Sequence, residues 1–130
     1  MATWADVERI ALSLPETAEA VSRGTRHWRV KDKSFVWERP LRGTDLKHLG
    51  EAAPDGPILG ARVEHEGAKR ALIEAEPEVY FTTPHFDGYP AVLARLERLD
   101  EEGLTELVTE AWLNRAPRGV VRAFLEDGGG

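Results

Sequence analysis

The stretch Pro77-Glu-Val-Tyr-Phe-Thr-Thr-Pro-His-Phe-Asp-Gly-Tyr-Pro-Ala-Val-Leu-Ala-Arg-Leu96 decides the fold, because strand-forming and turn-forming residues alternate along it. Residues 79–83 are β-branched or aromatic, which predicts a strand. Residues 84–90 include two prolines, a glycine and an aspartate, which predicts a turn or a surface loop. Residues 91–96 predict a second strand. Two strands joined by a short loop are typical of an antiparallel sheet.

The loop of residues 84–90 carries more polar and aromatic side chains than a plain connector needs, so we treat it as a candidate ligand-binding loop. Its candidate residues, with the threonine that precedes it, are Thr83, His85, Asp87 and Tyr89. The alternative is local structure, since polar loop residues often only hydrogen-bond to nearby backbone.

The sequence offers no recognisable catalytic or metal-binding motif. Cysteine is absent, and no Gly-x-Ser-x-Gly nucleophile motif occurs. His85 and Asp87 are only two potential ligands, whereas a structural metal site usually has about four. The glycines of residues 128–130 follow a helix instead of opening one, so they cannot cradle a phosphate. We therefore predict no catalytic residue, no metal and no cofactor, and a protein that is not an enzyme.

Length and composition indicate one ordinary globular domain. The chain has 130 residues, of which 42% are hydrophobic and 31% charged. We predict a single domain over residues 1–126 and a flexible tail over residues 127–130. The absence of cysteine favours a reducing compartment. No signal peptide and no membrane-spanning stretch is visible, so the expected location is the cytoplasm, without a membrane partner.

Basic residues are concentrated in one segment, although the whole chain has a formal charge of −6. Residues 23–42 contain 7 basic and 2 acidic residues, a net of +5, while the other 10 basic and 21 acidic residues give −11. Such a cluster on an acidic protein indicates a partner-binding surface. The alternative is a solvated outer face, which is common in soluble proteins. The basic residues of the segment are Arg23, Arg26, Arg29, Lys31, Lys33, Arg39 and Arg42.

Residues 26–39 predict a β-hairpin that turns at Asp32 and Lys33. In that register Val30 pairs with Phe35 and Trp28 pairs with Trp37, so that all four apolar side chains share one face. The opposite face would then carry polar and basic side chains together with Val36, namely His27, Arg29, Lys31, Ser34, Val36 and Glu38.

The remaining segments predict helices and two further strands. Thr3 is suited to cap a first helix that ends near Leu14, and Thr44 to cap a short helix that ends at Gly50. Residues 19–23 and 58–64 predict strands, and residues 65–76 predict a helix. Asp100 is suited to cap a long helix, and a last helix starts at residues 116–117. The predicted buried positions of these later helices are Ala68, Ala71, Leu72, Ala75, Leu104, Leu107, Val108, Ala111 and Trp112.

This order of elements predicts an α+β protein with an antiparallel sheet of about five strands and helices packed on one face. Strands joined by tight turns favour antiparallel pairing. Helices gathered near both ends of the chain favour a helical layer over the sheet.

Several short motifs, in their order and spacing, resemble the MmcQ/YjbR family. They are Leu14-Pro-Glu16 after the first helix, residues 30–35 (Val-Lys-Asp-Lys-Ser-Phe), the stretch of residues 77–96, and Ala111-Trp112 followed by Ala116-Pro117. The resemblance covers residues 7–125 and implies a small YjbR-like α+β fold, similar to secretion-chaperone-like domains. Members of that family are commonly labelled DNA-binding proteins. The resemblance implies no catalytic residues.

Two functional hypotheses follow. In the first, the protein is a non-enzymatic DNA-binding module, and the seven basic residues of segment 23–42 contact phosphates. The acidic remainder of the chain weakens long-range attraction, so this hypothesis predicts weak binding. In the second, the protein binds a small molecule or a peptide at the loop of residues 82–90.

Overall fold

The computed structural model describes residues 1–127, which form five α-helices and a six-stranded sheet. The helices are α1 (Trp4–Ser13), α2 (Gly43–Leu49), α3 (Glu66–Ala75), α4 (Glu101–Arg115) and α5 (Arg118–Glu126). The strands are β1 (Thr17–Ser22), β2 (Thr25–Val30), β3 (Lys33–Glu38), β4 (Ile58–Arg62), β5 (Tyr80–Phe81) and β6 (Ala91–Arg95). The strand order is β1-β2-β3-β4-β6-β5, and every pair is antiparallel. The α+β class is confirmed, with six strands where about five were predicted.

Side-chain caps explain where α1 and α4 begin. Thr3 and Asp6 form a reciprocal capping box at α1. Asp100 accepts a hydrogen bond from the backbone N–H of Gly103 at 2.7 Å and caps α4. The predicted cap of α2 was wrong: Thr44 lies inside that helix, which begins one residue earlier at Gly43.

One face of the sheet packs against α1 and α4 and holds the larger hydrophobic core. Its largest side chains are Trp28 and Trp112, both fully buried. Their indole N–H groups donate to Glu19 Oε1 and to the Pro15 carbonyl, each at 3.1 Å, so burial leaves neither group unpaired. The predicted inner face of α4 is confirmed, since its five apolar residues are all buried, namely Leu104, Leu107, Val108, Ala111 and Trp112.

The hairpin between β2 and β3 turns one residue earlier than predicted. Lys31 and Asp32 form the turn, and both have positive φ angles, 48° and 68°, as a two-residue type I′ turn requires. Val30 consequently pairs with Lys33, and beyond a shift in register Trp28 pairs with Val36 instead of with Trp37. The predicted register was wrong because nothing in a Lys-Asp pair marks it as the turn, since glycine is absent.

A β-bulge in β3 completes this correction. The register shifts beside Trp28, which leaves Phe35 as an extra residue on β3. Phe35 and Val36 are consequently both buried in the larger core, although Val36 was predicted on the basic face. Trp37 points to the other side of the sheet and is only half-buried.

Helix α3 also departs from its predicted pattern. Ala71 and Ala75 were predicted to be buried, but both are exposed, and Ala68 and Leu72 are half-buried. The buried residue of this helix is Lys69, at 3% exposure. Its ammonium donates to the Phe86 carbonyl at 2.8 Å, a long-range contact that the helical spacing does not reveal.

The second face of the sheet has a smaller hydrophobic cluster made of Ile58, Phe81, Phe86, Ala91 and Leu93, with Trp37, Leu41 and Leu49 packed against it. Helix α2 and the turn of residues 84–86 lie over this cluster. Beyond it, the side chains on β1–β3 that face the same way are half-buried or exposed. We call this uncovered part the open face, and it carries Ala18, Ala20, Thr25, His27, Arg29 and Ser34.

Of the predicted tail, residues 128–130 lie outside the part of the chain that the structure describes. Within residues 1–127, no helix is long and apolar enough to cross a membrane.

Candidate functional site

A cleft of about 750 Å³ brings the two candidate regions of the sequence together. Part of the basic segment forms one side of the cleft, and the loop of residues 85–89 forms the other. The residues that line it are Ser22, Arg23, Thr25, His27, Trp37, Glu38, Arg39, Pro40, Arg42, His85, Phe86, Asp87, Gly88 and Tyr89. The cleft adjoins the open face because α2 and the turn of residues 84–86 cover only the neighbouring strands.

Three of the seven basic residues pair with carboxylates. Arg26 Nε lies 3.1 Å from Glu38, and a second nitrogen lies 3.7 Å from Glu8. Lys31 lies 3.3 Å from Glu16, in a pair of which both members are half exposed. Such pairing reduces the charge that these residues offer to a partner.

The third paired residue, Arg39, has a structural position. Its guanidinium lies 3.0 Å from the Asp45 carboxylate, and both side chains are almost fully buried. It also lies over the Phe86 ring, 5.2 Å from the centroid. The pair therefore ties β3 to α2 and to the turn of residues 84–86.

The Asp45 carboxylate is held in its ionised form. Burial by itself raises the pKa of Asp45, but the N–H of Arg42, which donates at 2.9 Å, and the charge of Arg39 outweigh it. The net effect is a pKa below the ordinary value of 3.8. A buried charge that is satisfied in this way fixes one wall of the cleft.

The side-chain nitrogens of the other four basic residues have no carboxylate within 4.0 Å among residues 1–127. Arg23 and Arg42 are exposed and line the cleft. Arg29 lies on the open face, beside Ser34 of the neighbouring strand. Lys33 is exposed next to the hairpin turn. These four cations are available to an anionic partner.

The loop of residues 85–89 is anchored at two points. Lys69, paired with Glu66 at 2.8 Å, holds the Phe86 carbonyl. Arg62 donates to the Tyr89 hydroxyl at 2.9 Å and lies over the Tyr89 ring, 4.8 Å from its centroid. Tyr89 is nevertheless 44% exposed, so one side of its ring faces solvent.

The structure places three of the four predicted loop residues in the cleft, namely His85, Asp87 and Tyr89. Thr83 is 1% exposed, lies beside Asp45 and is not part of the cleft surface. Its position is structural, since the chain turns inward before the loop begins.

Trp37 and His27 line the cleft but were not among the sequence-based candidates. Trp37 lies against Gly60 of β4, where a side chain larger than hydrogen would meet the indole ring. His27 lies within 3.4 Å of Ser34 Oγ and 3.3 Å of Thr25 Oγ1. Burial, and then the charge of Arg29, lower the pKa of His27 below its ordinary 6.5. Trp37 was missed because the sequence does not reveal the β-bulge, which turns this side chain away from the larger core.

The side chains of the cleft are of kinds that can contact an anionic or aromatic ligand. It combines exposed guanidinium groups, two imidazoles and partly exposed aromatic rings, which suit phosphate contacts and base stacking. In the described part of the chain, no group of three His, Asp or Glu side chains is placed to hold a metal ion.

Known proteins resemble this chain over nearly its whole length. The YjbR family model matches residues 12–114. Two uncharacterised mycobacterial proteins, one from Mycobacterium bovis and one from Mycobacterium tuberculosis, are each 54% identical over 132 residues, covering 99% of this chain and all of the relative. The crystal structure of a Deinococcus radiodurans protein with a DUF419 domain has a TM-score of 0.68 at 20% identity, over 99% of this chain and 89% of that one. This last likeness concerns the fold.

Proposed function

Because the chain belongs to the YjbR family and gathers cations and aromatic rings in one cleft, we propose that it is a non-enzymatic DNA-binding module. The observation that carries the proposal is the meeting of Arg23 and Arg42 with Trp37 and Tyr89 around one concave surface. Cations positioned beside exposed aromatic rings are the usual means of holding a single strand. The proposed setting is the cytoplasm.

In this proposal the arginines hold phosphates and the rings contact bases. Arg23 and Arg42 neutralise two backbone phosphates at the edge of the cleft, and Arg29 extends the basic track along the open face, whereas Lys33 pairs with Val30 and lies on the opposite face of the hairpin. Trp37 and Tyr89 offer stacking faces, which do not discriminate strongly between bases. Asp87 lies in the same cleft and opposes the phosphates, so the expected affinity is modest.

The cleft favours single-stranded over duplex DNA. The aromatic rings lie inside a concave surface, where unpaired bases can reach them, whereas the bases of a duplex are stacked on each other. A duplex could contact only the outer arginines. We therefore expect tighter binding to a short oligothymidine than to a duplex of equal length.

The test is fluorescence anisotropy of a labelled oligothymidine, titrated with the full-length protein over a range of salt concentrations. Replacing Arg23 and Arg42 together by glutamate should abolish binding. Replacing both by glutamine should make the negative slope of log affinity against log salt shallower by about 1.4, since each phosphate contact on a single strand contributes about −0.7. The matched control replaces Arg118 and Arg122, two exposed arginines of α5. Absence of oligothymidine binding at low salt would refute the proposal. So would a loss of affinity in the Arg118 and Arg122 variant that equals the loss in the Arg23 and Arg42 variant.

A second candidate function is the binding of a small anionic molecule or an acidic peptide in the same cleft. The observation that favours it is the volume of about 750 Å³, which lies within the usual range for small-molecule sites. A mononucleotide or a phosphopeptide that raises the melting temperature while the oligothymidine does not would favour this alternative. Loss of that shift on replacing His85 by alanine would place the ligand at the loop.

A further inference from the structure

A second concave surface lies between α3 and α4 and shares no residue with the cleft. This groove has a volume of about 550 Å³, and the end of β4, Tyr80 and the start of α4 close its base. The residues that line it are Arg62, Val63, Glu64, Ala68, Ala71, Leu72, Glu76, Tyr80, Arg98, Leu99, Asp100, Gly103, Glu106, Leu107, Glu110 and Asn114.

The floor of the groove is apolar. Leu72 is half-buried, and Leu99 and Leu107 are buried in the larger core but line the groove from below. Ala71 belongs to the apolar side of α3, yet it is exposed, and no other element of residues 1–127 covers this part of the helix. The groove therefore leaves apolar surface in contact with water, which a ligand with a hydrocarbon body would cover.

The rim of the groove is acidic. Four of its carboxylates have no cationic partner within 4.0 Å among residues 1–127, and these are Glu64, Glu76, Glu106 and Glu110. The Asp100 carboxylate is occupied as the cap of α4. Two arginines, Arg62 and Arg98, also line the groove, so five carboxylates stand against two guanidinium groups. The net charge of the lining is therefore negative.

A largely buried tyrosine points to a ligand independently of the acidic rim. Tyr80 is 5% exposed and lines the groove, and its hydroxyl has no hydrogen-bond partner in the described part of the chain. The hydroxyl is not among the fully enclosed unpaired atoms, so it is the group that this buried ring offers to the groove. A tyrosine buried to this extent usually finds a partner for its hydroxyl. Burial, together with the charges of Glu76 and Glu106, raises the pKa of Tyr80 to about 12, so the hydroxyl stays neutral and can accept a hydrogen bond from an ammonium group.

We propose that the α3–α4 groove binds an aliphatic di- or polyamine. The hydrocarbon chain would cover Leu72 and Leu107, and the ammonium groups would meet Glu76, Glu106 and the Tyr80 hydroxyl. Four unpaired carboxylates exceed what one ammonium group requires, so the ligand carries at least two. The same charges repel phosphates, which separates this site from the cleft in ligand class as well as in position.

The probe is spermidine, titrated into the full-length protein by isothermal calorimetry near physiological salt. We expect saturable binding at one site. Replacing Glu76 and Glu106 together by glutamine should weaken it at least about tenfold, since hydrogen bonds between charged groups are the strong ones. Tyr80→Phe keeps the ring in the core and should weaken binding by about tenfold, the effect of one hydrogen bond to a charged group.

Matched controls decide between this site and general attraction to an acidic protein. Glu74 and Glu102 are exposed glutamates on the same two helices but outside the groove, and replacing both by glutamine should change the affinity less than twofold. 1,8-Octanediol, which has a similar chain without charge, should not bind. The protein in which Arg23 and Arg42 are replaced by glutamate should bind spermidine with unchanged affinity. The polyamine proposal can therefore be tested even if the DNA-binding proposal fails.

Three results would overturn the proposal. Absence of saturable spermidine binding would do so directly. If replacing Glu74 and Glu102 by glutamine lowered the spermidine affinity as much as replacing Glu76 and Glu106, the binding would be diffuse charge attraction. Binding of a basic amphipathic peptide through Glu76 and Glu106 without binding of spermidine would assign the groove to a protein partner instead. Circular dichroism and melting curves of each variant verify that the fold is intact.

Discussion

Trp28 and Trp37 belong to the same hairpin, yet they lie in opposite environments. Trp28 is fully buried on the helix-covered face, where its ring stacks on Trp4 at 6.4 Å between centroids. Trp37 is half-buried on the other face, where it borders the cleft. One tryptophan of the hairpin therefore stabilises the fold, and the other is available to a ligand.

The β-bulge at Phe35 creates this difference. Without it, alternation along β3 would place Trp37 on the side of Trp28, where the larger core is already filled. With it, two consecutive residues of β3 enter the core and Trp37 turns outward. A single extra residue thus supplies the cleft with its largest aromatic side chain.

The sharpest test of this comparison is to truncate each tryptophan. Trp28→Ala removes a fully buried ring and should lower the free energy of unfolding by about 3–5 kcal/mol. Trp37→Ala removes a half-buried ring and should cost about 1–2 kcal/mol, because less apolar area is withdrawn from water. Urea denaturation measures both. Equal losses of stability in the two variants would contradict the half-buried position of Trp37. Unchanged oligothymidine affinity in Trp37→Ala would contradict its contact with the bound strand.

The buried pair of Arg39 and Asp45 supports one wall of the cleft, and Asp45→Ala should show how much it stabilises the fold. Removing the carboxylate leaves Arg39 buried and unpaired, so the free energy of unfolding should fall by about 3 kcal/mol. The folded-state pKa of Asp45 is lowered, so its contribution to the free energy of unfolding is present above about pH 4. This contribution is lost as the pH falls through the lowered pKa. Arg9→Ala, which breaks only exposed pairs, should cost less than about 1 kcal/mol. Similar costs in both variants would contradict a buried pair at Asp45.

The sequence predicted those parts of the fold that depend on local periodicity. The inner face of α4, the Thr3 cap and the strand of residues 91–95 follow from spacing within one element, because each residue's environment is set by its near neighbours. The hairpin register failed for the converse reason. Lys31 and Asp32 adopt positive φ angles without a glycine, and the bulge at Phe35 is stabilised by tertiary packing.

The candidate site was predictable only in parts. Charge clustering pointed to segment 23–42 and composition pointed to the loop, but their meeting depends on how β3, α2 and the loop pack together. Arg39 looks like any other basic residue in sequence, and only the structure reveals its burial against Asp45. Lys69 is hidden in the same way, since its partner is the distant Phe86 carbonyl. Such contacts join residues far apart in the chain.

Gly60→Ala tests whether the position of Trp37 depends on the neighbouring strand. A methyl group at Gly60 would overlap the indole ring, so the ring must move, at an expected cost of about 1–3 kcal/mol. Tryptophan fluorescence and oligothymidine affinity should change together. Gly119→Ala is the control, because a methyl group there meets no atom of the described residues within 4 Å and should stabilise α5 slightly. Normal fluorescence in Gly60→Ala would show that Trp37 is held by other contacts.

His27 gives the smallest expected effect, and it links the open face to pH. Its pKa is lowered by burial and by Arg29, only partly offset by Glu38. The unfolded chain therefore binds this proton more readily, so stability should fall slightly as the pH drops below about 6.5 towards the lowered value. A bound phosphate acts in the opposite direction, because it favours the imidazolium.

Oligothymidine affinity should consequently rise over the same pH range in which stability falls, by at most about tenfold per pH unit for one proton. His27→Gln should remove both trends, whereas His48→Gln, at an exposed position of α2, should leave them unchanged. Affinity that is constant between pH 5 and 7.5 would place the phosphates away from His27, on Arg23 and Arg42 alone. A rise that survives in His27→Gln would show that the proton binds to a group other than His27.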